Sequence, residues 1–120
     1  MENEPTIASQ LEISDLAYET IIEGMNMSTY IYNGTSNAVF SDYDIKVCAK
    51  TGTAEHGSGG SDNGSFVLFA PADDPVIAIA IYVEKGAQGG HLGNIAKVLL
   101  DAYFSDANSI DTLPGENELN

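Results

Sequence analysis

The sequence predicts an α+β fold in which three antiparallel strands are flanked by an N-terminal and a C-terminal helix. Two stretches near the ends of the chain have apolar residues at three- and four-residue spacing, as helices that pack on a core do. Between them lie three short segments rich in β-branched or aromatic residues, separated by turns rich in glycine, proline and aspartate. Strands joined by short connections pair in antiparallel fashion, so this order indicates one small sheet.

Each helix is predicted from its apolar stripe. Ser14 suits the N-cap of the first helix, and Asp15 suits the positive end of its dipole. The first stripe consists of Leu16, Thr20, Ile21 and Met25. The second helix is predicted at 92–104, with a stripe formed by Leu92, Ile95, Val98, Leu99, Ala102 and Tyr103. We expect both stripes to pack on the sheet.

The strands are predicted at 44–54, 65–70 and 76–83. The first alternates between two faces, as strands do. The third is apolar without alternation, which indicates an inner strand covered on both faces.

Composition limits both the size and the partners of the fold. The 120 residues, 43% of them hydrophobic, suffice for one small domain. We place it at 11–104, between a disordered or linker segment at 1–10 and an acidic disordered tail at 105–120. The formal charge of −14 disfavours binding to nucleic acid and to anionic membrane surfaces, because like charges repel. Cys48 is the only cysteine, which excludes an internal disulfide, and its apolar neighbours predict a buried, unreactive thiol.

The segment Lys50-Thr51-Gly52-Thr53 presents an ammonium group, two hydroxyls and bare backbone on a strand that opens into a polar loop. That combination suits a carboxylate, because Lys50 supplies charge while Thr51 and Thr53 supply short hydrogen bonds. Gly52 lets a ligand or another backbone approach closely. A Lys-Thr-Gly triplet alone is weakly specific, so the flanking sequence decides its meaning.

The stretch Val47-Cys48-Ala49-Lys50-Thr51-Gly52-Thr53-Ala54-Glu55 resembles the Lys-Thr-Gly strand of class B penicillin-binding proteins, the D,D-transpeptidases of the cell wall. Residues 66–71 resemble the next strand of that domain, 73–84 the turn and strand after it, and 89–104 its closing helix. Upstream, Gly24-Met25 and Gly34-Thr35-Ser36 are similar to the family's Gly-Met and Gly-Thr-Ala elements. The resemblance covers residues 11–104 and is greatest to elongation-type members.

The resemblance implies the C-terminal part of a transpeptidase domain, a partial fold of the penicillin-binding-protein and serine β-lactamase type. The parent enzyme would cross-link stem peptides of peptidoglycan through a serine acyl-enzyme, without a metal or another cofactor, and β-lactams would acylate the same serine. Lys50 would organise the charge of the site. The hydroxyls of Thr51 and Thr53 would bind the carboxylate of the substrate or the β-lactam next to Gly52, and the Thr53 backbone N–H would be an oxyanion-hole donor.

The family's nucleophile, which lies in a Ser-x-x-Lys motif, is missing from this sequence. The residues three positions before the four lysines are Tyr43, Val47, Tyr82 and Asn94. The triplet Ser61-Asp62-Asn63 spells the family's second motif, but it follows Lys-Thr-Gly instead of preceding it, so we interpret it as a coincidence. We therefore expect the chain to be an inactive piece of a longer enzyme whose missing N-terminal part supplies the serine.

Localisation and association are expected from the same resemblance. The parent would be anchored in the bacterial cytoplasmic membrane with this domain outside the cytoplasm, while the chain itself shows no targeting signal and is expected to be soluble. Apolar surface left uncovered predicts self-association.

Two other functions stay open. One is a non-catalytic transpeptidase-like module that binds peptides or a protein partner; the other is a small acidic interaction domain in which Lys-Thr-Gly is accidental. His56, His91 and Cys48 are too few and too scattered in the sequence to predict a zinc site. The roles of the two histidines stay open.

Overall fold

The computed structural model describes residues 6–55, 60–86 and 89–110, with side chains to residue 105. Its elements are α1 (Asp15–Tyr30), α2 (Asn37–Phe40), β1 (Cys48–Ala54), β2 (Asn63–Ala70), β3 (Ile77–Val83) and α3 (Leu92–Ile110), the last preceded by a 3-10 turn at Gly89–His91. The predicted α+β order of helix, three strands and helix is confirmed. The sequence reasoning did not predict α2 or the 3-10 turn.

The three strands form one antiparallel sheet in the order β1-β2-β3. Thr51 pairs with Phe66, and Phe66 pairs with Ile81. Because directly opposed residues of antiparallel strands place their side chains on the same face, these three residues define one face of the sheet, here called the core face. The opposite face, here called the outer face, carries Lys50 and its partner Val67.

The hydrophobic core lies between the core face and α3. Phe40 stacks on Phe66 with ring centroids 6.2 Å apart, and Tyr43 meets Phe40 edge-on at 5.7 Å. The buried members of this core are Phe40, Val47, Ala49, Phe66, Leu68, Ala70, Leu92, Ala96 and Leu100. The segment between α1 and β1 therefore belongs to the core, because α2 supplies one of its largest side chains.

The stripe predicted for the C-terminal helix is only partly correct. Leu92, Ala96 and Leu100, spaced by four residues, are the buried side chains of α3. Five residues of the predicted stripe are exposed instead: Ile95, Val98, Leu99, Ala102 and Tyr103. The helix is apolar on more than one face, so spacing alone could not identify the face that meets the sheet.

The N-cap predicted for α1 is confirmed, but its predicted stripe is not the buried face. Ser14 Oγ accepts a hydrogen bond from the Ala17 amide at 3.2 Å. Leu16 and Ile21 are exposed, and the buried side chain of the helix is Thr29. The reason is that α1 meets the edge of β1 through its last turns, since Ser28 Oγ donates to the Ala49 carbonyl at 2.6 Å.

The prediction that the third strand is covered on both faces is wrong for the part of the chain that is described. Half-buried and exposed residues alternate along β3, and Tyr82 on the outer face is 61% exposed. The strand forms one edge of the described sheet. Its unbroken apolar sequence therefore leaves apolar side chains on the outer face in contact with solvent.

The predicted element limits also differ from those observed. The first strand begins at Cys48, four residues later than predicted, because residues 44–47 form bends and an irregular segment. Helix α3 continues to Ile110, so the first part of the tail predicted at 105–120 is helical. The rest of that tail, residues 111–120, and residues 1–5 of the predicted N-terminal linker lie outside the described residues. Residues 6–14 are exposed and have no regular structure. No described helix is long and apolar enough to cross a membrane.

Candidate functional site

Thr51 and Thr53 open onto a cleft at the edge of the sheet. They lie two residues apart on β1, so strand alternation places both side chains on the core face. The cleft has a volume of about 470 Å³ and is lined by Thr35, Thr51, Thr53, Asp62 and Gly90. The structure thus brings together the two threonines that the sequence predicts as carboxylate ligands.

Thr35 reaches the cleft because of a tight turn after α1. Asn33 adopts a left-handed backbone conformation with φ of 65°, and the Gly34 amide donates to the Ile31 carbonyl at 2.8 Å. A Cβ at Gly34 would lie 2.3 Å from the Ser28 carbonyl oxygen, so the close approach at this turn requires glycine. Thr35, the residue that follows this turn, lines the cleft.

The second wall of the cleft is the 3-10 turn at Gly89–His91. The Gly89 amide lies 3.4 Å from Thr53 Oγ1, to which it donates a hydrogen bond. A Cβ at Gly89 would lie 2.3 Å from the Gly52 carbonyl oxygen and 2.4 Å from that of Ser65. Glycine at position 89 therefore lets the turn lie directly on the backbone of β1 and β2, which places Gly90 in the cleft.

Gly52 has a packing role on the outer face of the sheet. A Cβ there would lie 2.2 Å from Ser65 Oγ on the neighbouring strand. A larger residue would have to displace that hydroxyl or shift β1. The predicted need for close approach at Gly52 thus corresponds to two contacts, with Ser65 and with Gly89.

Lys50 lies beside the cleft and not among the residues that line it. Alternation places it on the opposite face of β1 from Thr51 and Thr53. Its side chain is exposed, and Nζ donates a hydrogen bond to the Thr51 carbonyl oxygen. The Lys50 ammonium group therefore lies next to the threonine residues predicted to act with it, but in this structure it donates to the backbone.

The residues of the Ser61-Asp62-Asn63 triplet have separate positions. Asn63 begins β2, and its Oδ1 accepts a hydrogen bond from the Lys85 amide at 2.9 Å, which joins the start of β2 to the turn after β3. Ser61 is exposed, whereas Asp62 lines the cleft. Sequence reasoning missed Asp62, Thr35 and Gly90 as cleft residues.

Histidine and cysteine do not form a cluster in the described part of the chain. His91 is exposed in the 3-10 turn, and His56 lies outside the described residues. Cys48 is buried, as predicted, and burial raises the pKa of its thiol. Among the described residues, no three His, Cys, Asp or Glu side chains are grouped as metal ligands would be.

Hydrogen bonds join the segment that precedes β1 to both α1 and α3. On one side, Tyr30 Oη accepts a hydrogen bond from the Val47 amide at 2.8 Å, which fixes the residue before the strand to α1. On the other side, Tyr43 Oη donates to Asp101 Oδ1 at 2.8 Å, and Lys97 Nζ donates to Asp101 Oδ2 at 3.2 Å. The hydrogen bond from Tyr43, with that from Lys97, holds the pKa of the Asp101 carboxyl below its usual range.

Comparison with known proteins identifies the fold to which this cleft belongs. Residues 2–101 match the family described as the penicillin binding protein transpeptidase domain. The chain belongs to this family. Its relatives are class B members of the PBP2 type, and the family resemblance stated from the sequence is therefore confirmed.

Two curated relatives show the extent of the match. The peptidoglycan D,D-transpeptidase MrdA of Escherichia coli K12 is 30% identical over 99 residues, which cover 71% of this chain and 16% of that protein. The peptidoglycan D,D-transpeptidase PbpA of Mycolicibacterium smegmatis is 41% identical over 56 residues, 40% of this chain and 11% of the relative. The chain thus spans less than a fifth of the length of either relative.

Solved structures share the same arrangement of elements. PBP2 of Pseudomonas aeruginosa, crystallised with WCK 5153, superimposes with a TM-score of 0.69 and is 26% identical in sequence. The match covers 99% of this chain and 25% of the PBP2 chain. Penicillin-binding protein A of M. tuberculosis, in an imipenem acyl-enzyme complex, gives a TM-score of 0.61 and 26% identity over 77% of this chain and 20% of that one. The chain therefore has part of the transpeptidase fold.

Proposed function

We propose that this chain supplies the carboxylate-binding edge of a peptidoglycan D,D-transpeptidase site. The observation that supports the proposal most directly is the position of Thr51 and Thr53, whose side chains share one cleft with the 3-10 turn that begins at Gly89. Hydroxyl donors on one edge of a strand can bind the two oxygens of a terminal carboxylate. The two curated relatives described above are D,D-transpeptidases.

The residues would act at different points of acyl transfer. The hydroxyls of Thr51 and Thr53 would hold the C-terminal carboxylate of a stem peptide, and Lys50 would add positive charge beside it. A serine oxygen would attack the carbonyl carbon of the penultimate residue, and the Thr53 N–H would donate to the oxygen that becomes negative. The bond to the leaving amine then breaks, an acyl-enzyme forms, and an acceptor amine releases it.

The attacking serine would come from polypeptide outside this sequence, since no Ser-x-x-Lys motif occurs within it. A β-lactam would place its carboxylate on the same two threonines and acylate the same serine. We further propose that the parent protein is anchored in the bacterial cytoplasmic membrane and exposes this domain outside the cytoplasm. In isolation the chain would bind carboxylate ligands but catalyse no acyl transfer.

A fluorescent penicillin tests this assignment on two polypeptides. The chain alone should give no covalent adduct, and a version extended at its N-terminus with the preceding part of the domain should give a stable one. Covalent labelling of the 120-residue chain would contradict the assignment of the nucleophile. A folded extended version that never labels would favour the non-catalytic peptide-binding module instead.

A further inference from the structure

The outer edge of β3 is a place where one more strand can pair with the sheet. Among the described strands β3 pairs with β2 alone, so the backbone N–H and C=O groups along its other side have no strand partner. Its side chains alternate between Ile77, Ile79 and Ile81 on the core face and Ala78 and Ala80 on the outer face. An unpaired edge with apolar side chains favours the addition of an extended segment.

Helix α3 provides apolar surface on the same side of the sheet as this edge. The helix contacts β2, β3 and α2, and its polar flank is turned toward the segment before β1, where Lys97 and Asp101 contact Tyr43. The opposite flank consists of exposed apolar residues spaced by four and is here called the apolar flank of α3: Ile95, Leu99 and Tyr103. The apolar flank therefore lies on the β3 side, where a strand added beside β3 would contact it.

Residues 6–13 have the sequence pattern of such a strand. Ile7, Leu11 and Ile13 occupy odd-numbered positions, so an extended backbone places them on one face and Gln10 on the other. In this structure the segment has no regular secondary structure, and Ile7 and Leu11 are 89% and 81% exposed. These apolar side chains are therefore not covered by their own chain.

The position of α1 favours a second copy of the chain as the source of the added strand. Residues 6–13 lead directly into α1, which contacts β1 and α2. Strand β1 is at the opposite edge of the described sheet from β3. Within one chain the segment thus begins on the side of the sheet away from the β3 edge, whereas the segment of a second copy can approach that edge from solvent.

The distribution of charge permits this contact between two acidic chains. Each copy has a formal charge of −14, so most surfaces of two copies repel each other. Residues 6–11 and 76–83, however, carry no charged side chain. Pairing these two stretches places no like charges directly opposite each other along the new ladder.

We propose that the outer edge of β3 and the apolar flank of α3 form a docking site for residues 6–13 of a second copy of this chain. The segment pairs with β3 as an additional strand, and Ile7, Leu11 and Ile13 pack against the apolar flank. When each copy both donates a segment and receives one, the assembly closes as a dimer. This inference does not depend on the proposed function, because the cleft lies beside β1.

Two neighbouring substitutions that make the same change of charge test the proposal. Leu11→Asp places a carboxylate against the apolar flank of α3, and Gln10→Asp places one on the opposite side of the added strand. Sedimentation equilibrium of the whole 120-residue chain should show a dimer. Leu11→Asp should raise its dissociation constant by roughly tenfold or more, and Gln10→Asp by less than roughly threefold. Because Leu11 is exposed, the fold should be unchanged, which circular dichroism checks.

A synthetic peptide with the sequence of residues 6–13, blocked at both ends, locates the docking site. In excess it should convert the dimer of the unmodified chain to monomers. On the 15N-labelled Leu11→Asp chain it should shift the amide resonances of β3 and of Leu99. The same peptide with Leu11→Asp should do neither, whereas the peptide with Gln10→Asp should do both.

Several outcomes would overturn the inference. Equal weakening of the dimer by the two substitutions, or association that survives unchanged in Leu11→Asp, would show that another surface joins the copies. A peptide that shifts no β3 amide would show that the edge does not receive the segment. A chain that stays monomeric, but whose β3 amides shift when Leu11→Asp is introduced, would show that the segment pairs within its own chain.

Discussion

The hydroxyl groups of Thr51 and Thr53 are the residue-scale basis of the proposed site. Replacing either threonine with valine keeps the branched shape that a strand favours and removes the hydrogen bond. A hydrogen bond to a charged group contributes about 1.5–3 kcal/mol. Each variant should therefore weaken binding of Nα,Nε-diacetyl-Lys-D-Ala-D-Ala, a peptide that ends in a free carboxylate, by tenfold or more. NMR titration measures this directly.

The control for the threonine variants is Thr20→Val on α1. The Thr20 hydroxyl is exposed and donates to the Leu16 carbonyl within the helix, away from the cleft. This variant should bind the peptide as the unmodified chain does. Unchanged affinity in both Thr51→Val and Thr53→Val would show that the two hydroxyls do not contact the ligand.

Gly89 and Gly24 form a matched pair for testing the close contact behind the cleft. A methyl group at position 89 would collide with the Gly52 and Ser65 carbonyl oxygens, whereas nothing lies within 4 Å of a Cβ at position 24. Gly89→Ala should therefore lower the free energy of unfolding by several kcal/mol, beyond the usual ~1 kcal/mol of a point mutation. Gly24→Ala, inside α1, should raise it by about 0.5–1 kcal/mol. Urea unfolding measures the free energy of unfolding of both variants. Equal effects would contradict the close contact of Gly89 with the backbone of β1 and β2.

The Cys48 thiol provides a pH-dependent test at the same scale. Burial raises its pKa, so the neutral thiol is favoured in the folded state. Its contribution to stability is complete below the unfolded pKa of about 8.5 and is lost as pH rises through the higher folded value. The difference in unfolding free energy between the unmodified chain and Cys48→Ala should therefore be constant up to about pH 8 and smaller near pH 10. A difference that stays constant or increases above pH 8 would contradict this.

Some site residues could be predicted from sequence and others could not, for physical reasons. Thr51 and Thr53 are two residues apart on one strand, so period-two alternation alone places them together. Thr35 enters the cleft only because the turn at Asn33 and Gly34 closes against α1, which is a tertiary contact. Asp62 faces the cleft because of the register between β1 and β2, and the sequence of the connection between them does not specify that register.

At the scale of elements, α3 has apolar residues on more faces than the described chain covers. Leu100 is fully buried, while its neighbour Leu99 is 47% exposed. Leu100→Ala should destabilise the fold by about 2–5 kcal/mol, as for other large-to-small changes in a core. Leu99→Ala removes the same atoms and should cost less than ~1 kcal/mol. Thermal or urea unfolding of the pair checks the helix orientation, and the opposite ranking would show that α3 packs with the other face.

Helix orientation was the weakest part of the sequence-based prediction for a definable reason. Spacing identified α1, α3 and the three strands, because period and turn chemistry act locally. The buried face of α3 depends on what lies opposite it, and Ile95 and Val98 are as apolar as Leu92 and Leu100. The extension of α3 to Ile110 is not predicted by spacing, because residues 105–110 are mostly polar and small and the apolar stripe ends before them.

At the scale of the whole molecule, the described chain exposes apolar surface that an isolated domain normally covers. Leu16, Tyr82 and Val98, on three different elements, are each more than half exposed, and β3 forms an edge of the described sheet. Exposed apolar surface and unpaired strand edges favour association, so we expect the sedimentation coefficient to increase with protein concentration. Ala80→Lys, which places a charge on the outer face of β3, should reduce that increase. A monomer at every concentration would contradict the expectation.

The site itself is tested most directly by mapping where a carboxylate ligand binds. In a 15N-labelled sample of the whole chain, titration with diacetyl-Lys-D-Ala-D-Ala should shift the amide resonances of Thr51, Gly52, Thr53 and Gly90, with smaller changes on the outer face of the sheet. Amide shifts are local, so this pattern would place the ligand at the cleft. Absence of any shift at saturating peptide, or shifts confined to α1 and the outer face, would show that the 50–53 segment does not bind the carboxylate.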